Sequence, residues 1–340
     1  MKKILAFVLA LSTIVMLGCQ RKELLKDVKK ENPVISEPKE EVNEFYEKMQ
    51  SDERPIALMI DNDVKASRPQ LGLESAYMIY EIIIEGGATR FMALFKEHDL
   101  EKVGPVRSAR HYFLDYALEH DAVYCHAGWS PQASRDITNL KVNNINGVMG
   151  VDGRCFWRDN TYDKSWHNLY TGLDKLYDMA SSTKGYRTKT DVNHSEYYKN
   201  DTDLKSENIA EKIDIPYSYF YSVAYEYDKE NKVYKRYVDG SLHMSQTGEY
   251  LTAKNIIIYK VRNYNLNDGE EKGRQNIENI GSGTGFYVTN GKFVNVNWSK
   301  PSRDAKTVYT LEDGSPLVLN PGNTYVQIVP ENVSISLSAN

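Results

Sequence analysis

Arg107 and Arg110 stand three residues apart in VGPVRSARHYF, and Arg90 lies upstream in EGGATRF beside Glu85. A guanidinium is permanently charged, and its planar fork of donors matches a carboxylate or a phosphate. Ser108 is a suitable N-cap for a helix read over ARHYFLDYALEH, whose free N–H groups would attract an anion. Two arginines at such an end oppose the local dipole unless something negative joins them. Two sources of that charge stay open. One is internal, from Glu81, Glu85 or Asp115; the other is a bound ligand.

Glu81 and Glu85 have even spacing, so both project from one face if the strand YEIIIE runs that far. The two glycines after Glu85 suit a turn into RFMALF, which brings Arg90 across to Glu85. That pair is either a surface salt bridge or the mouth of a site. His126 ends the strand-like AVYCH, and Ser130 caps the helix-like SPQASRDITNL. A histidine at a strand end beside a glycine turn is well placed for proton transfer, or for a half-buried structural role. GWSPQ lacks the second glycine of a nucleophile elbow, so Ser130 is weighed as a rim residue, not a nucleophile. FWRDNTYDKSWHNLY crowds Arg158, His167 and Asn168 among aromatic rings, the chemistry a sugar or peptide groove requires. The competing reading is a packed loop with satisfied polar groups.

These residues need a scaffold, and the chain divides visibly. Residues 1–18 combine Lys2 and Lys3 with an apolar run too short for an ordinary membrane span, which predicts a signal peptide. MLGC resembles a bacterial lipobox, with Met16 a looser fit than leucine. That resemblance implies cleavage before Cys19, its acylation, and attachment to the outer face of the cell membrane. Residues 19–54 are rich in Lys and Glu and predict a solvated tether. From 55 to 183, apolar strand runs alternate with helix-like runs, which predicts a mixed α/β layer domain. Residues 184–213 are polar and predict a linker. From 214 to 334 the alternation tightens to every second residue, which predicts a mostly antiparallel β domain. The fold class expected is therefore α+β.

Composition narrows function further. The full chain has 340 residues and a formal charge of −5; loss of Lys2 and Lys3 lowers this to about −7. There is no basic excess to suggest nucleic acid. Cys125 and Cys155 could form one disulfide in an oxidising compartment. No C-x-x-C or H-x-x-x-H spacing implies a metal, and GSGTG precedes a strand, so no phosphate-cradling helix or cofactor follows.

RPQLGLESAYMIYEIIIEGGATRFMALF, VGPVRSARHYF, HAGWSPQA and FWRDNTYDKSWHNLYT resemble the YerB-like lipoproteins of Gram-positive bacteria. YKRYVDGSLHMSQTGEYLTAKNIII, GSGTGFYVTNGKFVNVNWSK and LNPGNTYVQIVP continue the resemblance in the same order, to about Pro330. It implies the two-part layout and the lipoprotein address, but no reaction. Trp166 departs from the pattern, which leads one to expect a proline before His167. Two functional readings follow. The first is a membrane-anchored binding or scaffold protein that recognises peptidoglycan or another anionic envelope component. The second is a cell-wall hydrolase or transferase with Glu85 or His126 as general acid or base.

Overall fold

The computed structural model describes residues 43–63 and 68–339. The apolar leader, Cys19 and the tether up to residue 42 lie outside the described residues. Among those described, no helix is long and apolar enough to cross a membrane.

The apolar runs build a ten-stranded sheet. Its order is Val308–Leu311, Lys292–Lys300, Gly281–Thr289, Asn255–Val261, Thr324–Pro330, Met78–Ile83, Thr89–Phe95, Ile56–Ile60, Val123–His126 and Asn144–Asn146. Ile56–Ile60, Met78–Ile83, Thr89–Phe95 and Thr324–Pro330 are buried at every position. A strand covered on both faces has no solvent side to mark with polar residues, so it reads as an unbroken apolar run. Thr324–Pro330 lies between Met78–Ile83 and Asn255–Val261, parallel to both. The α/β region and the largely antiparallel β region thus share one continuous sheet, and residues 42–340 cluster as one unit.

A second sheet contains Lys212–Ser218, Tyr221–Asp228 and Val233–Val238, antiparallel in that order. Here burial alternates, with Ile213, Ile215, Tyr217, Val223, Tyr225, Tyr234 and Arg236 inward. Thr289 and Lys292 pair across the hairpin between the strands Gly281–Thr289 and Lys292–Lys300. Asn290 and Gly291 between them both have positive φ, the conformation a two-residue hairpin demands.

The helix expected from Ser108 begins later. It spans Phe113–Glu119, and Tyr112 precedes it with no side-chain cap. The reason is competition for the backbone: Arg107 N–H donates to Met59 and Ala109 N–H to Gly128. The arginine segment is therefore tied down as an extended strap, and the anion site at a helix start is not formed. The next helix, Pro131–Asn139, does begin as expected, with Ser130 Oγ accepting from Ala133 N–H at 3.1 Å. Residues 184–213 are also pinned: Glu196–Tyr197 pairs with Val318–Leu319. Cys125 and Cys155 are both free thiols and both buried.

Candidate functional site

Strand alternation sorts the charged residues into two separate places. Glu81 faces Phe91 across its hairpin, whereas Arg90 faces Ile82, so Glu81 and Arg90 emerge on opposite faces of the sheet. Asp61 and Asn62, just past the end of Ile56–Ile60, part in the same way. Asp61 goes with Arg90, and Asn62 with Glu81.

On the Arg90 side, Asp61 Oδ2 lies 2.5 Å from His167 Nδ1 and 3.1 Å from Arg107 Nε. The Arg107 contact is an ion pair without hydrogen-bond alignment, since its Nε has no aligned acceptor. Arg110 forks Glu85, with Nε at 2.7 Å and Nη2 at 2.9 Å, and gives Nη1 to the Ala109 carbonyl. Arg90 is buried, donates Nη1 to the Ser108 carbonyl at 2.7 Å, and leaves Nε without a partner. The Tyr124 hydroxyl is also buried without a partner. The structure thus brings together Glu85, Arg90, Arg107, Arg110 and His167, and adds Asp61, which the sequence did not single out.

The electrostatics follow from burial and charge imbalance. Burial lowers the Arg90 guanidinium to about 10, and the nearby Arg110 pushes in the same direction. Burial works to raise the Asp61 carboxyl, but the His167 hydrogen bond and the charges of Arg90 and Arg107 hold it below its usual range. Glu85 is held low against burial by Arg110. His167 is raised, first by its bond to Asp61. Three guanidiniums therefore converge on two ionised carboxylates. A part-buried cluster of guanidiniums with an idle donor favours an anion.

Glu81 is the main correction. It was expected to face these arginines, yet it is completely buried on the other side, where Arg236 Nη2 contacts its two oxygens at 3.0 and 2.8 Å. Tyr221 and Thr89 donate to the same carboxylate, as does Gln327 Nε2 at 3.0 Å. This network joins the two sheets. Arg236 lies 155 residues from Glu81, and no local spacing signals the pair.

His126 does not join the arginines either. Its Nδ1 donates to the Gly128 carbonyl at 2.8 Å, and Nε2 lies 3.3 Å from the Asn144 side chain. Burial lowers it to about 4, so the ring is neutral and occupied at both nitrogens. Ser130 is spent as a helix cap and is buried. Arg158 reaches the Asn168 side-chain oxygen at 2.5 Å, and Asn168 in turn donates to Asn160. Those two brace the loop that delivers His167 to Asp61.

One cluster escaped the sequence entirely. Glu119, His120 and His194 bring potential metal-ligand atoms within 4.8 Å of one another, all buried. The geometry argues against an ion there. The two imidazoles stack face to face at 3.7 Å and 19°, so their in-plane lone pairs run parallel and do not converge on one point. His120 already contacts Tyr77 and Tyr80 through its two nitrogens. Glu119 accepts from Lys300, Thr307 and Tyr80. His194 arrives from a polar segment 75 positions away, which is why no motif marked it.

The N-terminal domain of the family described as protein of unknown function (DUF3048) matches residues 43–187, and its C-terminal domain matches 213–326. The Bacillus subtilis (strain 168) protein named "Putative lipoprotein YerB" is 30% identical over 325 residues, covering 95% of this chain and 94% of that one. The crystal structure of YerB protein from Bacillus subtilis superposes with a TM-score of 0.73 at 31% identity, over 84% of this chain and 94% of the other. The match spans both the arginine cleft and the buried Glu81–Arg236 junction, and the chain belongs to the DUF3048 family.

Proposed function

We propose that this protein is a lipoprotein anchored at Cys19 to the outer face of the cell membrane, where it binds an anionic envelope component. The supporting observation is Arg90, a buried guanidinium with an idle Nε in a cluster that also holds Arg107 and Arg110. Arg107, with 29% of its side chain exposed, is the arm that meets the ligand. Arg110 is saturated by Glu85 and shapes the cleft wall. Peptidoglycan, with carboxylates on its peptides, is a suitable envelope partner.

A cell-wall hydrolase or transferase is the weaker reading. Glu85 is held ionised by Arg110 and has no proton to give, and His126 has no free nitrogen to act as base. The arginine cleft is best tested with inorganic phosphate as the probe. Wild-type protein should melt progressively higher as phosphate rises at constant ionic strength. Arg107→Ala should lose that response while changing intrinsic stability by about 1 kcal/mol or less, because Arg107 is partly exposed and unaligned, and the buried Asp61 keeps His167 as its partner. A variant that melts far lower yet keeps the phosphate response would assign Arg107 to the scaffold.

The anchor is tested separately. Cys19→Ala should abolish metabolic labelling with a fatty acid and shift the protein from the membrane pellet. Undiminished labelling of that variant would rule the anchor out.

A further inference from the structure

We infer that the groove between two β-hairpins, beside the arginine cleft but distinct from it, binds an uncharged oligosaccharide. One wall is the tip joining Lys212–Ser218 to Tyr221–Asp228, where Tyr219 and Phe220 are 94% and 73% exposed. The other is the hairpin of Asn263–Asn265 with Gln275–Ile277, which carries Tyr264. The groove has a volume of about 920 Å³, ample for several sugar rings, and is open to solvent.

Three observations favour a sugar. First, the aromatic rings are held in place although exposed. Tyr219 and Phe220 meet edge to face at 5.1 Å and 86°. Ser218 fixes their turn by donating to the Gly87 carbonyl at 2.7 Å and accepting from Phe220 N–H at 3.1 Å. Tyr264 is oriented by Asn276, which donates to its hydroxyl at 2.9 Å, and by Arg262 lying 5.5 Å from the ring centre. A ring fixed before binding loses little rotamer entropy when a ligand stacks on it.

Second, the polar lining consists almost wholly of carboxamides and hydroxyls. Asn263 donates to Gln275 at 2.9 Å, and Asn265 and Asn332 also line the groove. An amide both donates and accepts, as a hydroxyl or an acetamido group does, so the two are matched without net charge. Third, among the described residues the only ionisable carboxylate or base lining this groove is Glu331. A surface built to meet anionic phospholipid would carry lysines and arginines there.

This assignment extends the envelope-binding proposal, but its failure is separable from that of the arginine cleft. The full chain, solubilised in a detergent without a sugar headgroup, would be titrated with the neutral N-acetylglucosamine tetramer by calorimetry. Saturable binding is expected, weakened about tenfold by Tyr264→Ala and by Tyr219→Ala, each removing one ring that lines the groove. Arg107→Ala should leave it unchanged, while those two variants should keep the phosphate response. No heat at millimolar sugar, or equal affinity in all variants, would overturn the assignment. So would loss of binding to phosphatidylcholine vesicles by Tyr219→Ala with no sugar binding in the parent, which would make the tip a membrane contact.

Discussion

Arg236→Ala should lower unfolding free energy by about 3–5 kcal/mol, the largest effect expected of any single substitution here. The side chain is completely buried and supplies the only cation paired with Glu81 among the described residues. Its removal strands a carboxylate whose remaining neighbours, Tyr221, Thr89, Asn62 and Gln327, can donate hydrogen bonds but cannot cancel its charge. It also strips a cation from the faces of Phe91, at 5.1 Å, and Tyr325, at 5.7 Å. Glu81→Gln in the same background should recover part of the loss, because the stranded group is then neutral. Urea midpoints of the two variants would measure both steps. A loss below about 1 kcal/mol would show that water or a rearranged partner replaces the pair.

The second large effect is acid sensitivity. His126 is depressed by burial from 6.5 to about 4, His120 by burial and then by His194, and His243 by burial and then by Arg236. A depressed histidine is neutral when folded but takes up a proton when unfolded. Its contribution is therefore complete above the unfolded value of 6.5 and is lost as pH falls towards the folded one. For His126 alone the difference is about 2.5 pH units, or about 3 kcal/mol, of which about 2 kcal/mol is gone by pH 5. His167 works the other way: its raised value contributes stability at low pH that is lost as pH rises through that value. Asp61, Glu81 and Glu85 are all held low, so their contribution disappears only below their ordinary values of 3.8 to 4.5. Stability should thus fall in two limbs, a histidine limb from about pH 6.5 and a carboxylate limb below about 4.5. His126→Phe should make the first limb shallower, with His120 and His243 supplying what remains; an unchanged slope would mean that the His126 ring is already protonated when folded.

What the sequence disclosed follows physical range. The central strands were readable because burial on both faces leaves an apolar run. Ser130 was readable as a cap because the N–H that donates to it lies three residues away. Arg110 and Glu85 came together because a hairpin and a strap bring segments 25 residues apart into reach. Ser108 misled because a helix start is a local inference, and the backbone there is claimed by Met59 and Gly128 from other elements. Asp61 was overlooked because its neighbours, Arg107 and His167, lie 46 and 106 positions away. Glu81 was assigned to the wrong side because the strand stops at Ile83, so Glu85 sits in a turn and the even spacing no longer reports a shared face.

The place of Thr324–Pro330 in the large sheet also has a consequence for timing. A chain made from its N-terminus exposes Met78–Ile83 early, yet that strand's second neighbour arrives some 240 residues later. Until then Met78–Ile83 and Asn255–Val261 each present an open, apolar edge, the kind that recruits strands from other molecules. Long loops must close before these contacts form, so folding should be slow and should start only near completion of the chain. A product ending before residue 324 would keep most of the sequence and most of its strands, yet would have a gap through the middle of its sheet. Its expected fate is aggregation or proteolysis, not a smaller working protein.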